Sequence, residues 1–153
     1  EVVIEEPGIN AKLNEVQAAF GLLQLNYIRG YIEKRKLISE LYQKLLVGIP
    51  GIRFLPEMEG VAHTYSYFPI LVEPELYGMT RDTLYDKLKQ KNIFGRRYFY
   101  PLISNFEPYK ELTSAKVENL TNANKIAEQV ICLPIYPELD KTEIKRIVNI
   151  ILG

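Results

Sequence analysis

The stretch "GINAKLNEVQAAFGLLQL" (residues 8–25) opens on a polar turn and becomes an almost uninterrupted apolar helix. Asn14 is a good N-cap, so the helix is predicted to start there and run toward Tyr27. Leu13, Val16, Ala18, Ala19, Phe20, Leu22, Leu23 and Leu25 cover most of its circumference. A surface helix of a globular domain carries one apolar stripe, so this one is expected to be buried on several sides. The question it sets is what could surround it.

Outward from that helix, periodicity predicts an α+β arrangement. Residues 28–47 form an amphipathic helix with Ile38, Leu41, Tyr42 and Leu45 inward and Glu33, Lys34, Lys36, Glu40 and Lys44 facing water. "GIPG" at 48–51 stops it. "IRFL" (52–55) and "YSYFPILV" (65–72) read as strands, with Pro69 marking an edge or a bulge. Thr80 begins a helix carrying Leu84 and Leu88. "IFGRRYFYPL" reads as a further strand ended by Pro101, "NANKIAEQV" as a helix, and "ICLPIYPEL" as a short strand entering a proline-rich turn. Asp140 with Glu143 forms a capping box ahead of Ile144, Ile147, Val148 and Ile151. Helices outweigh a small sheet, and no repeat or low-complexity linker interrupts them.

Composition removes several classes of function. The 153 residues fit one domain, and Lys plus Arg balance Asp plus Glu at 19 each, so no global field favours nucleic acid or an acidic membrane. No apolar run approaches the roughly 18 residues of a membrane span, and no signal peptide is expected. One cysteine, Cys132, leaves no internal disulfide framework and fits a reducing cytoplasm. With a single histidine, His63, a structural zinc site cannot be assembled. The glycines match neither a P-loop nor a dinucleotide fingerprint, and no nucleophile elbow accompanies His63. The start at Glu1, without methionine, predicts a piece of a longer protein.

Two stretches can carry chemistry. In a strand, alternate side chains share a face, so "RRYFYP" would set Arg96, Tyr98 and Tyr100 on one side and Arg97 and Phe99 on the other. The first side offers a cation and two phenols to an anionic ligand bearing hydroxyl groups. Equally, the same residues make a solvated strand with tyrosines packed on their neighbours. The turn "GINAK" offers Asn10 and Lys12 ahead of a helix N-terminus, where a phosphate can sit, or where Asn10 merely shapes the turn. His63 reads as a partly buried loop residue and Cys132 as a small core residue. Asn119 in "ENLT" fits a glycosylation sequon, which a cytoplasmic setting leaves unused.

"GINAKLNEVQAAFGLLQL", "IFGRRYFYPL" and "ICLPIYPEL" together resemble, in that order, the C-terminal part of the DegT/DnrJ/EryC1/StrS aminotransferases, pyridoxal 5'-phosphate (PLP) enzymes of fold type I. The resemblance covers essentially the whole chain. It implies a small C-terminal domain with a mostly antiparallel sheet (52–153), led by connecting and interface helices (8–47). The implied reaction moves an amino group from glutamate to a nucleotide-linked keto-deoxysugar, a 4-keto-6-deoxyhexose. It also implies that the apolar helix joins the large domain, the small domain and the second subunit of a homodimer. Asn10 would contact the cofactor phosphate across that dimer, and Lys12 replaces a family arginine, keeping its charge but losing the bidentate fork. Arg96, Arg97, Tyr98 and Tyr100, with Lys12, would serve the substrate. The cofactor-bonding lysine of such enzymes lies upstream of the "GINAK" turn, before a Gly-Glu-Gly-Gly loop that this chain lacks, so the segment alone is expected to be inactive. A non-catalytic interaction module derived from that family is the alternative, and a nucleic-acid binder is disfavoured by the zero net charge.

Overall fold

The computed structural model describes residues 12–98 and 100–153. Asn10 and Phe99 lie outside the described residues. The first helix, α1 (Glu15–Leu25), begins where the sequence places it, with the Asn14 side chain accepting the Gln17 N–H at 2.8 Å. The second, α2 (Ile28–Leu46), turns Ile38, Tyr42 and Leu46 inward. Gly51 then makes the entry to the sheet at φ +73°, and any Cβ there would strike the backbone of Tyr77. Only glycine fits that turn.

Strands β1 (Ile52–Phe54), β2 (Phe68–Val72) and β3 (Val130–Leu133) form an antiparallel sheet in the order β1-β2-β3. Between β2 and β3 lie α3 (Pro74–Tyr77), α4 (Arg81–Gln90), three single 3-10 turns and α5 (Thr121–Gln129). The chain ends in α6 (Lys141–Leu152). The fold is α+β, as expected.

Pro69 sits in the central strand rather than at an edge of the sheet. Its position is nevertheless consistent with the missing N–H. Cys132, opposite Pro69, directs both backbone groups to Arg96, so the 69–132 pair exchanges no hydrogen bonds. The proline nitrogen therefore faces the β1 side, where β1 has already ended at Phe54 opposite Ile70. Locally, β2 is an edge there.

Alternation divides the sheet cleanly. Phe68, Ile70, Val72, Ile131 and Leu133 join the core with α2, α4 and α6, whose inward stripe is Ile144, Ile147, Val148 and Ile151. Pro69, Leu71, Val130 and Cys132 occupy the other face. Half of the capping box forms: Asp140 accepts the Glu143 N–H at 2.8 Å. The Glu143 carboxylate instead grips Arg146, which also holds it below the usual carboxylate range.

One expectation is overturned within this chain. No residue of α1 is buried: Val16 is 80% exposed, Leu22 67% and Phe20 62%. The apolar pattern states what the helix needs to cover, and these residues alone do not cover it.

Candidate functional site

The site begins at the free edge of β3. Gly95 lies so close to β3 that a Cβ would come within 2.9 Å of Ile131 Cδ1 and 3.2 Å of the Cys132 carbonyl. That approach lets Arg96 exchange both backbone hydrogen bonds with Cys132, at 2.9 and 2.8 Å. The expected strand through "IFGRRYFYPL" stops at this single bridge. In register, Tyr98 would next stand opposite Val130. Val130 has no group left for it: its N–H is taken by the Ile126 carbonyl and its carbonyl by Arg81 Nη1 at 2.8 Å. A side chain from α4 thus ends the strand, and the chain turns.

The turn changes which residues meet. Tyr98 folds back onto Tyr67, with ring centroids 4.6 Å apart and planes 24° from parallel. Its hydroxyl titrates above the ordinary tyrosine value, chiefly because of its hydrogen bond with Tyr67 and next because of desolvation, against the pull of Arg96. Arg96, exposed, brings Nη1 to 3.5 Å from the Tyr67 hydroxyl. That contact is long, so it engages little of a guanidinium with five N–H donors. Beside them opens a cleft of about 220 Å³ lined by Ser66, Tyr67, Arg96, Cys132 and Pro134 among others. Burial pushes the Cys132 thiol up to about 11 despite the Arg96 charge, which keeps it protonated and inert at neutral pH.

Arg97 and Tyr100 go elsewhere. Arg97 Cζ lies 4.7 Å from the Tyr85 ring centroid and 4.9 Å from that of Tyr100, and its Nη1 is 3.1 Å from Asp82 Oδ1. The Tyr100 ring also meets Arg81, at 4.8 Å. Arg81 Nε is 2.8 Å from Asp82 Oδ1 but makes no aligned hydrogen bond, so that contact is Coulombic. The predicted face of Arg96, Tyr98 and Tyr100 is therefore split: Arg96 and Tyr98 gather at Tyr67, while Tyr100 joins Arg97 against α4. The Tyr100–Pro101 bond is cis.

Lys12 is exposed two residues ahead of the Asn14 cap, and the contacts that build the Arg96 cluster do not include it. His63 is a loop residue as expected but is exposed rather than partly buried; its Nδ1 accepts the Tyr65 N–H at 2.9 Å. Sequence reasoning missed Tyr67, Arg81, Asp82 and Tyr85. Tyr67 was signalled by parity, since it shares the strand face of Pro69, the partner of Cys132. The three α4 residues had only their spacing, with Arg81 and Tyr85 one helical turn apart.

Among the described residues, no group of three His, Cys, Asp or Glu could hold a metal ion, and no helix is long and apolar enough to cross a membrane. Residues 1–152 match the DegT/DnrJ/EryC1/StrS aminotransferase family. The chain belongs to that family. It is 48% identical over its full length to an Escherichia coli dTDP-4-amino-4,6-dideoxy-D-glucose transaminase, of which it spans 41%. A Shigella dysenteriae transaminase of the same description is 41% identical, over 94% of this chain and 38% of that protein. The chain thus spans about two fifths of the curated relatives it matches. Among solved structures it superposes on DesI, described in the presence of its TDP-sugar product, with a TM-score of 0.84 at 24% identity, over 94% of this chain and 36% of that one. The fold is that of the small domain of a fold type I aminotransferase.

PLP, the cofactor of this family, needs a lysine amine held in a pocket. The described lysines stand on open surface, Lys87 alone being half-buried. The described residues do not by themselves make a site for PLP.

Proposed function

We propose that this chain is the C-terminal part of a PLP-dependent aminotransferase that transfers an amino group from glutamate to a dTDP-linked 4-keto-6-deoxyhexose. The observation that carries the substrate side is the convergence of Arg96, Tyr67 and Tyr98 beside an open cleft. A guanidinium and two phenolic hydroxyls suit a nucleoside diphosphate joined to a hydroxylated ring, the guanidinium meeting phosphate oxygens. Relatives that act on dTDP-linked amino sugars support the same substrate class.

In this assignment residues 52–153 form the small domain and residues 8–47 the connecting and interface part. The active assembly is a homodimer, with Asn10 reaching the cofactor phosphate of the other subunit and Lys12 supplying charge nearby. The bare apolar surface of α1 supports this arrangement, because a soluble protein rarely leaves such a surface open. Within the chain, Arg96 binds and orients the diphosphate, while Tyr67 and Tyr98 hold the ligand through their hydroxyls.

The test is product formation by the full-length protein, purified with PLP and given glutamate and dTDP-4-keto-6-deoxyglucose. The expected result is 2-oxoglutarate and a dTDP-linked amino sugar in equal amounts. Consumption of glutamate without amination of any nucleotide-linked keto sugar would contradict the proposal.

A further inference from the structure

The assignment of Arg96, Tyr67 and Tyr98 to the sugar side leaves Arg97 unexplained, although it sits next to Arg96 in the same loop. Its geometry differs in kind. The exposed Arg96 guanidinium makes one long polar contact among the described residues, whereas that of Arg97 meets two tyrosine rings, at 4.7 and 4.9 Å, and a carboxylate at 3.1 Å. The Tyr100 ring in turn meets both Arg97 and Arg81. The result is a cluster of Tyr85, Arg97, Tyr100 and Arg81 in which Asp82 Oδ1 touches both cations.

We infer that Arg97 is a positioning residue for the nucleotide-sugar site, acting through Arg96 and Tyr98 rather than touching the substrate. The inference rests on the sugar-side assignment made above. Its physical basis is the course of the backbone. Arg96 is fixed on one side by its paired bonds to Cys132. A residue later, the cluster on α4 pulls the chain out of strand geometry. Tyr98 lies between Arg97 and Tyr100, the two residues of the loop held in that cluster, and its ring stacks on Tyr67. Without the second anchor, residues 97–100 lose the contacts that fix the turn, and the Tyr67–Tyr98 pair loses its register with Arg96. The cluster is built for arginine: a planar guanidinium packs against two rings, and an ammonium is a compact hydrated charge that does not.

The experiment uses the full-length enzyme and follows steady-state kinetics with the dTDP-linked keto sugar, alongside thermal stability. Arg97→Ala is expected to raise KM for the sugar about tenfold while kcat at saturating sugar stays within about twofold, the signature of lost binding rather than lost transition-state contact. Arg97→Lys is expected not to restore KM. Tyr85→Leu should move KM in the same direction, and Tyr85→Phe, which keeps the ring, should leave it near the parent value. The decisive comparison is the double variant: in an Arg96→Ala background, Arg97→Ala should add less than it does alone. Full additivity would overturn the inference, because it would mean that Arg97 meets the substrate itself. An unchanged KM in Arg97→Ala, with Arg96→Ala impaired, would overturn the positioning role and leave the sugar site standing. An unchanged KM in Arg96→Ala would overturn both.

Discussion

Arg81 carries a full charge into a place where it is 1% exposed. A guanidinium tolerates that only with close partners, and it has the Val130 carbonyl at 2.8 Å, Asp82 at 2.8 Å and the Tyr100 ring. Arg81→Ala would strand the buried carbonyl, so we expect it to lower unfolding free energy by about 3 kcal/mol in chemical denaturation, and Arg81→Met by less. A loss confined to a few tenths would show that the carbonyl finds another donor. Cys132 supplies a prediction in pH. Burial raises its thiol from 9.0 to about 11, so the folded state holds the proton longer than the unfolded chain. Stability from this group is fully present below pH about 9 and is lost as pH climbs toward 11, by about 2–3 kcal/mol at most. Tyr77, pushed up to about 12 by burial, begins to contribute only above the ordinary tyrosine value. Cys132→Ala should therefore flatten the stability curve between pH 9 and about 10. An unaltered slope there would rule the thiol out as its source.

At the level of elements, what was legible in the sequence was what one segment decides for itself. The caps at Asn14, Thr80 and Asp140 and the inward stripe of α6 follow from local spacing, and all formed. The strand through "RRYFYP" failed because its fate was set fifteen residues earlier in sequence, by Arg81 reaching the Val130 carbonyl. Periodicity within the stretch holds no trace of that competitor. Tyr100 consequently changed sides, while Arg96 and Tyr98 kept theirs. The helix α1 shows a different limit: its pattern registers a need for cover and says nothing of the source. With Val16, Phe20 and Leu23 on one side and Leu22 and Leu25 on another, we expect the isolated 153-residue chain to self-associate through α1. Sedimentation at micromolar concentration should show a dimer, and Phe20→Glu should return a monomer. A wild-type monomer with α1 ordered would refute this.

Across the whole molecule, one sheet separates two tasks. Its inner face, with α2, α4 and α6, makes the core, and its β3 edge carries the loop that presents Arg96 and Tyr98. The core residues could be listed from the sequence because burial follows period. The cleft could not, because it depends on three segments far apart in the chain, at Tyr67, Arg96 and Cys132. The chain belongs to the DegT/DnrJ/EryC1/StrS aminotransferase family and spans about two fifths of the length of the curated relatives it matches. The central claim is that Arg96 holds the diphosphate of the sugar nucleotide. Calorimetric titration of dTDP into the full-length protein, parent against Arg96→Ala, tests it without any need for turnover. Loss of a hydrogen bond to a charged group is worth roughly 1.5–3 kcal/mol, so the account predicts a dissociation constant raised about ten- to a hundredfold. An equal dissociation constant for the two proteins would contradict it.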